Sequence, residues 1–258
     1  MECVSADVIT YNTVVSACEK AAHWECALAC FRALHARGLR ADQLSYNAAI
    51  SACETGKRWE LALALLREMW PATLETDVVG YSAAISACAG DGRWENALTL
   101  LREIECEVDI VAYNAAISAC EKCEQWEQAV ALLVDMTARG PQPSVLTYCV
   151  VASSCERCGE WTRVLALLEE LVRQRLQPPV VLYNTALAAC LKKGHSWDQV
   201  LGLFMNLRSA RLRPDMTTFR AVLVACDGAG HEQAMPELLS EVNAQATSDF
   251  ITVQPEFG

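Results

Sequence analysis

Seven times along the chain an aromatic residue is followed seven positions later by a cysteine, and no other regularity limits the fold as strongly. The aromatics stand in Tyr11-Asn12, Tyr46-Asn47, Tyr81-Ser82, Tyr113-Asn114, Tyr148-Cys149, Tyr183-Asn184 and Phe219-Arg220, at spacings of 35, 35, 32, 35, 35 and 36. The cysteines are Cys18, Cys53, Cys88, Cys120, Cys155, Cys190 and Cys226. In six copies a tryptophan comes 13 or 14 residues after the aromatic, at Trp24, Trp59, Trp94, Trp126, Trp161 and Trp197, and His231 stands near that place in the seventh. A period of this length marks a chain made of stacked copies of one supersecondary unit.

Each copy reads as two helices. Apolar residues at the aromatic and three, four and seven positions on, as in Tyr46, Ala49, Ile50 and Cys53, make one helical stripe. A second starts at the tryptophan, with Trp59, Ala62, Leu63 and Leu66 matched by Trp126, Ala129, Val130 and Leu133. Gly38 and Gly140 lie where a left-handed helix cap is wanted, and Pro143, Pro178 and Pro214 stand just beyond helix ends. One hairpin cannot bury both stripes, so neighbours must stack. The expected fold is an all-α, right-handed superhelical solenoid of about seven helix-turn-helix repeats, with the cysteine and tryptophan stripes as core.

The expected boundaries are a lead-in over 1–7, repeats over 8–42, 43–77, 78–109, 110–144, 145–179, 180–215 and 216–249, and a tail over 250–258. The third repeat is short by three residues, a deletion placed in the loop between Glu103 and Asp109. Asp249-Phe250-Ile251-Thr252-Val253 echoes Asp7-Val8-Ile9-Thr10-Tyr11, as though an eighth repeat began there and the array were part of a longer one.

Composition narrows the function. Hydrophobic residues make up 53% of the 258, enough for a sizeable core, but no apolar stretch approaches the roughly 20 residues of a membrane-spanning helix. The opening Met-Glu-Cys-Val-Ser-Ala-Asp has no targeting character, so any leader is expected upstream. A net charge of −11 disfavours indiscriminate attraction to phosphate. Fourteen cysteines in a chain this long, half of them at one repeat position, read as reduced and mostly buried thiols.

Chemistry-bearing constellations are few. Cys120-Glu-Lys-Cys123 and Cys155-Glu-Arg-Cys158 have a zinc-like spacing, but the first cysteine of each pair is the repeat's core position. Cys26, Cys30 and Cys106 have no partner at ligand spacing, and the histidines His23, His35, His195 and His231 lie at helix joints or ends without a registered acid or thiol. His231-Glu232 is not followed by the cysteine pair that a zinc deaminase needs. No catalytic residue, metal or cofactor is expected.

The Asp-Val-Ile-Thr-Tyr-Asn run at 7–12, the helix joint and the closing Arg-Pro-Asp at 213–215 make the chain resemble the pentatricopeptide repeat family, as a P-type-like array. The tetratricopeptide signature is absent. The resemblance implies sequence-specific binding of single-stranded RNA at about one base per repeat. In the family the main specificity positions are the residue after the first aromatic and the last residue of the repeat. Carried over, these are Asn12 with Asp42, Asn47 with Asp77, Ser82 with Asp109, Asn114 with Ser144, and Asn184 with Asp215. By the family's code they imply 5′-UUGCNU-3′, while Cys149 with Pro179 and Arg220 with Asp249 depart from the pattern. Base-sandwiching falls to Ile9, Leu44, Val79, Val111, Leu146 and Val181, with Thr217 in the seventh copy, although helix-start packing explains the same residues equally well. Phosphate contact falls to Lys20, Lys122, Arg157 and Lys192.

Glu19, Glu54, Glu121 and Glu156 lie within about 20° of the reading residues around their helices, where they either pair with lysines or oppose phosphate. The resemblance implies an organellar factor, in chloroplast or mitochondrion, that acts on RNA processing, editing, splicing, stability or translation by occupying a transcript and recruiting processing proteins. No membrane or small-molecule substrate is expected. The rival is a protein-interaction scaffold taking a basic peptide on the concave face. Four repeats that end in aspartate and begin with asparagine or serine favour RNA.

Overall fold

A computed structural model describes residues 7–69, 78–104, 108–192 and 197–229. Asp77, Cys106, His195, His231, Asp249 and the echo at 249–253 lie outside these residues. Among the described residues there are thirteen α-helices and no strand. Six hairpins pair α1 (Val8–Lys20) with α2 (Trp24–Ala36), α3 (Gln43–Thr55) with α4 (Trp59–Met69), α5 (Val78–Gly90) with α6 (Trp94–Glu103), α7 (Ile110–Lys122) with α8 (Trp126–Arg139), α9 (Val145–Arg157) with α10 (Trp161–Arg173), and α11 (Val180–Lys192) with α12 (Trp197–Ser209). A last first-type helix, α13 (Met216–Ala229), follows. None of these helices is long and apolar enough to cross a membrane.

The helices group into two compact lobes that divide between Thr147 and Tyr148, within α9. In the N-terminal lobe the odd helices pack in series, α1 on α3, α3 on α5 and α5 on α7, while α2, α4 and α6 bridge each first helix to the next. In the C-terminal lobe α11 packs against α10, α12 and α13. First helices thus have neighbours on several sides. Accordingly α5 buries nearly its whole middle, Gly80 to Ala89 apart from half-buried Ser86. Small residues make this crowding feasible: Ala49 and Ala52, Ala84 and Ala87, Ala116 and Ala119, and Ala186 and Ala189 are all fully buried. Beside them lie the repeat cysteines, buried in every case except Cys18 of the first repeat, which is half-buried.

Second helices bury one face only. Their stripe runs Ala62, Leu65, Leu66 and Met69, not from the tryptophan through Leu63, which is half-buried. The six tryptophans are likewise half-buried, which corrects their expected place in the core. They stand at the first position of their helices, and Trp24 and Trp59 reach the turn of the following repeat. Trp24 lies so close to Gly56 that a Cβ there would fall 2.5 Å from its ring. The guanidinium of Arg58 stacks over Trp24 at 5.1 Å, and that of Arg93 over Trp59 at 4.9 Å.

Tight turns join the helices of a hairpin. Ala22, Lys57, Gly92, Glu124 and Gly159 occupy the same register with positive φ, and backbone N–H groups such as His23 N to Cys18 O close a Schellman-type cap. At second-helix ends Gly38, Arg175 and Arg211 are left-handed. Gly140 is not: its φ of −109° is extended. Glycine is required there for space, since a Cβ would meet the Tyr113 ring at 2.8 Å.

The short third repeat also differs from expectation. The shortening trims the last turn of α6, which has 10 residues where α2, α10 and α12 have 13. Ile104, in extended conformation, still fills the buried place held elsewhere by Leu34, Met69, Met136, Leu171 and Leu207.

The two kinds of glycine separate in stability. Gly56→Ala, forcing a methyl into Trp24, is expected to cost about 1–3 kcal/mol. Gly202→Ala, exposed within α12 with nothing near its Cβ, is expected to gain about 1 kcal/mol from helix propensity. Urea midpoints of the two variants against the parent chain measure both.

Candidate nucleic-acid interface

The place where first helices begin carries most of the unexplained polarity. Five of these helices, α1, α3, α7, α9 and α13, are capped by side chains. Asp7, Asp42 and Asp109 accept the N–H groups of Thr10, Ser45 and Ala112 at 2.8 to 2.9 Å, and Asp215 accepts that of Thr218 at 2.8 Å. Ser144 does the same for Thr147 at 3.2 Å. Second helices entered from the hairpin turn, such as α2, α6, α8 and α10, have no side-chain cap. Aspartate at the end of a repeat is therefore the start of the next repeat's helix, and capping alone accounts for its residue type. Asp7, which bonds only within its own first turn, has the same role.

Capping does not account for what the aspartate also holds. Asn12 Nδ2 donates to both carboxylate oxygens of Asp42, at 3.0 and 3.3 Å. Asn184 Nδ2 donates to both of Asp215, at 3.0 Å each, and to the Thr217 hydroxyl. Ser82 donates to Asp109 at 3.0 Å. Three of the pairs carried over from the family are thus in direct contact. Asn114 and Ser144 are linked through Thr147, whose hydroxyl donates to Asn114 Oδ1 at 2.8 Å. The partner of Asn47, Asp77, lies outside the described residues.

The carboxylates respond to these donors. Desolvation pushes Asp215 upward, but hydrogen bonds from Thr217, Thr218 and Asn184 outweigh it and hold the pKa at about 2. At Asp42 desolvation is likewise outweighed, by bonds from Ser45 and Asn12, and the pKa is lowered.

Two residues before the aromatic of six first helices stands an aliphatic side chain that is more exposed than covered. Ile9, Leu44, Val79, Val111 and Leu146 in the N-terminal lobe and Val181 in the C-terminal lobe are 53% to 74% exposed. Burial at the helix start does not explain them. In each lobe they leave apolar surface in the first turn of the first helices.

The basic residues are less free. Lys122 Nζ donates to the Ala89 carbonyl at 2.8 Å, at the end of the preceding first helix, and Lys192 pairs with Glu156 at 2.7 Å. Lys20 and Arg157 are exposed. Of the four glutamates, Glu19 accepts the Ser51 hydroxyl at 2.7 Å, Glu156 pairs with Lys192, and Glu54 is pushed upward by desolvation and by Glu19, against a hydrogen bond from Ser86.

Thiol chemistry is suppressed in the core. Burial lifts Cys53, Cys88 and Cys120 to about 11 and Cys155 to about 12, so they stay protonated at neutral pH. Cys123 donates to the Gly92 carbonyl, and among the described residues no three His, Cys, Asp or Glu side chains gather to hold a metal. His23 and His35 lie on α2 and its cap, the latter packed on Phe31 and Tyr46.

What sequence reasoning missed is the residue before each aromatic. Ser45, Thr147 and Thr218 are 0% to 1% exposed, yet each puts a hydroxyl between a cap and the asparagine of the preceding repeat. The capping-box spacing was the available signal.

Families described as PPR repeat match residues 9–39, 44–70, 79–107 and 146–176, one described as the PPR repeat family matches 108–157, and the pentatricopeptide repeat domain matches 166–229. No curated protein matches. Among solved structures, the pentatricopeptide repeat protein PPR10 from maize is 28% identical, with a TM-score of 0.69 over 92% of this chain and 34% of that one. PPR10 in complex with an 18-nt psaJ RNA element gives a TM-score of 0.76 at 19% identity, over 95% of this chain and 36% of that one. The PPR domain of Arabidopsis thaliana protein-only RNase P 1, in complex with tRNA, gives 0.56 at 16% identity, over 65% of this chain and 93% of that one. The chain thus spans about a third of the PPR10 chains it resembles.

Asp215 contributes stability that is present above the ordinary carboxylate value of 3.8 and is lost as pH falls through about 2. Its side-chain carboxyl carbon is expected to titrate near pH 2 by NMR. Asn184→Ala, which removes one donor, is expected to move that midpoint upward.

Proposed function

Because this chain belongs to the pentatricopeptide repeat family, we propose that it binds single-stranded RNA, reading about one base per repeat along the beginnings of its first helices. The observation that carries this reading is the repeated pairing of an exposed aliphatic side chain with a fixed polar pair: Ile9 with Asn12 and Asp42, Val79 with Ser82 and Asp109, and Val181 with Asn184 and Asp215. Aliphatic surface can lie against base faces, while amide, hydroxyl and carboxylate groups address base edges. The resemblance assigns Leu44, Val111 and Leu146 the same sandwiching role, Asn47 with Asp77 and Asn114 with Ser144 the same reading role, and phosphate contact to Lys20, Lys122, Arg157 and Lys192. The proposed target is 5′-UUGCNU-3′.

The proposed action is occupancy. The chain covers a short stretch of an organellar transcript, in chloroplast or mitochondrion, and recruits proteins that process, edit, splice, stabilise or translate it. That PPR10 was solved with an 18-nt psaJ RNA element, and a protein-only RNase P domain with tRNA, supports the class of ligand. The chemistry belongs to recruited partners, since the polar groups along this edge serve as caps and hydrogen-bonding surfaces.

A specific observation favours a second reading. With aspartates explained as helix caps, the terminal residues alone no longer argue against a scaffold, and a net charge of −11 suits a basic peptide. The exposed aliphatic row at fixed register is what separates the two.

Binding to labelled RNA containing UUGCNU, to a scrambled control and to duplex RNA at two salt concentrations tests the reading. Preference of about tenfold or more for the designed single strand is expected. Equal binding to the scrambled strand would remove the code, and no binding at low salt would leave the scaffold.

A further inference from the structure

An asparagine amide has nearly the same shape when its oxygen and nitrogen exchange places, yet the exchange turns a donor into an acceptor. A repeat that reads a base through such a group discriminates only if something fixes which end faces outward. In the first and sixth repeats a carboxylate does part of this, because Asp42 and Asp215 each take the amide nitrogen of Asn12 or Asn184. In the fourth repeat the corresponding residue is Ser144, which can both donate and accept and so fixes nothing.

The other end of the amide is held from the following repeat. Ser45 Oγ lies 2.6 Å from Asn12 Oδ1, Thr147 Oγ1 lies 2.8 Å from Asn114 Oδ1, and Thr218 Oγ1 lies 2.6 Å from Asn184 Oδ1. In all three the hydroxyl already accepts the backbone N–H of its own cap residue, Asp42, Ser144 or Asp215, at 3.2 Å. The hydroxyl also lies against its cap side chain, 2.7 Å from the Asp42 carboxylate, 3.0 Å from the Ser144 hydroxyl and 2.9 Å from the Asp215 carboxylate. Ser144 can give its own hydrogen to Thr147, which occupies the second lone pair of that hydroxyl and leaves its hydrogen for Asn114 Oδ1. At Ser45 and Thr218 the cap is a carboxylate that only accepts, so one hydrogen is shared between the carboxylate and the amide oxygen.

We propose that Ser45, Thr147 and Thr218 are specificity-positioning residues, each fixing the amide orientation of the asparagine in the preceding repeat. The proposal rests on the RNA-reading function above. At the same register of the first repeat Thr10 is exposed, and its hydroxyl turns to the cap carboxylate of Asp7 at 2.8 Å. Where the reading residue is Ser82 or Cys149, which have no amide to orient, the following repeat places Ala112 or Leu182 at this position. Behind Asn47 stands Gly80, which has no hydroxyl to give. The fourth repeat therefore depends on its hydroxyl most, since no carboxylate shares the task.

The test uses Thr147→Val, which keeps the shape and removes the hydroxyl, and Thr147→Ser, which keeps it. The Asn114 side-chain amide is followed by NMR in the free chain, and binding is measured to UUGCNU and to the same strand with its fourth base changed to U. In the Val variant the Asn114 amide signals are expected to move and exchange faster. Its preference for C over U at the fourth base is expected to fall about fivefold, with affinity for the rest of the strand retained. The Ser variant restores both, which separates orientation from folding. Unchanged Asn114 signals in the Val variant overturn the proposal whatever the RNA does, as does a C-over-U preference equal to the parent's. A parent chain that does not discriminate overturns the reading of RNA, while the amide signals still decide whether Thr147 sets the orientation.

Discussion

Close approach of the first helices to one another is the constraint on which the rest of the structure depends. Two helices can pack at short distance only where small side chains meet, and the alanines three and six positions beyond the aromatic supply this in the second, third, fourth and sixth repeats. Their packing leaves the cysteine seven positions on with no solvent, and hence no thiolate. It also brings the cap of one first helix beside the first turn of its neighbour, which is how Asp42 reaches Asn12 across 30 residues of sequence. The polar edge is a consequence of the apolar seam.

That edge puts one side chain to two uses. An aspartate that caps a helix is common and says nothing about a ligand. The same carboxylate that also accepts an amide from the preceding repeat couples two repeats at their exposed margin. Desolvation alone would raise its pKa, so a depressed value at Asp42 and Asp215 means that hydrogen bonds dominate. Capping and pairing cooperate, because each donor makes the charge easier to keep ionised for the other.

Much of this was legible in the sequence, and the exceptions share a cause. Helix existence and pairing followed from periodicity, since the 3.6-residue stripe and the 35-residue repeat are both sequence properties. That the members of the pairs at Asn12, Ser82 and Asn184 bond to each other did not follow, since the resemblance gave them only as base-reading positions. The tryptophans misled because apolar type was taken as burial, whereas their position at a helix start leaves one ring face for Arg58 or Arg93 to cover. Gly140 misled because glycine serves two needs, positive φ and space, and only coordinates distinguish them. Ile9 and its counterparts could not be assigned because aliphatic residues at a helix start look alike whether covered or bare.

The acidity of the chain takes a different meaning once its partners are known. Eleven excess negative charges look adverse to an RNA ligand when counted, but several of the carboxylates nearest the reading edge are already engaged, by the Ser51 hydroxyl at Glu19, by Lys192 at Glu156 and by helix N-termini at Asp7, Asp42, Asp109 and Asp215. An engaged carboxylate keeps its charge yet directs its lone pairs inward, which lowers the local field at an approaching phosphate. Lysines drawn into the same contacts, Lys122 on Ala89 and Lys192 on Glu156, are correspondingly less available to attract one. Under the proposed RNA-binding function, such an edge favours short-range contact with bases over long-range capture of a backbone, and gains selectivity by giving up indiscriminate electrostatic affinity.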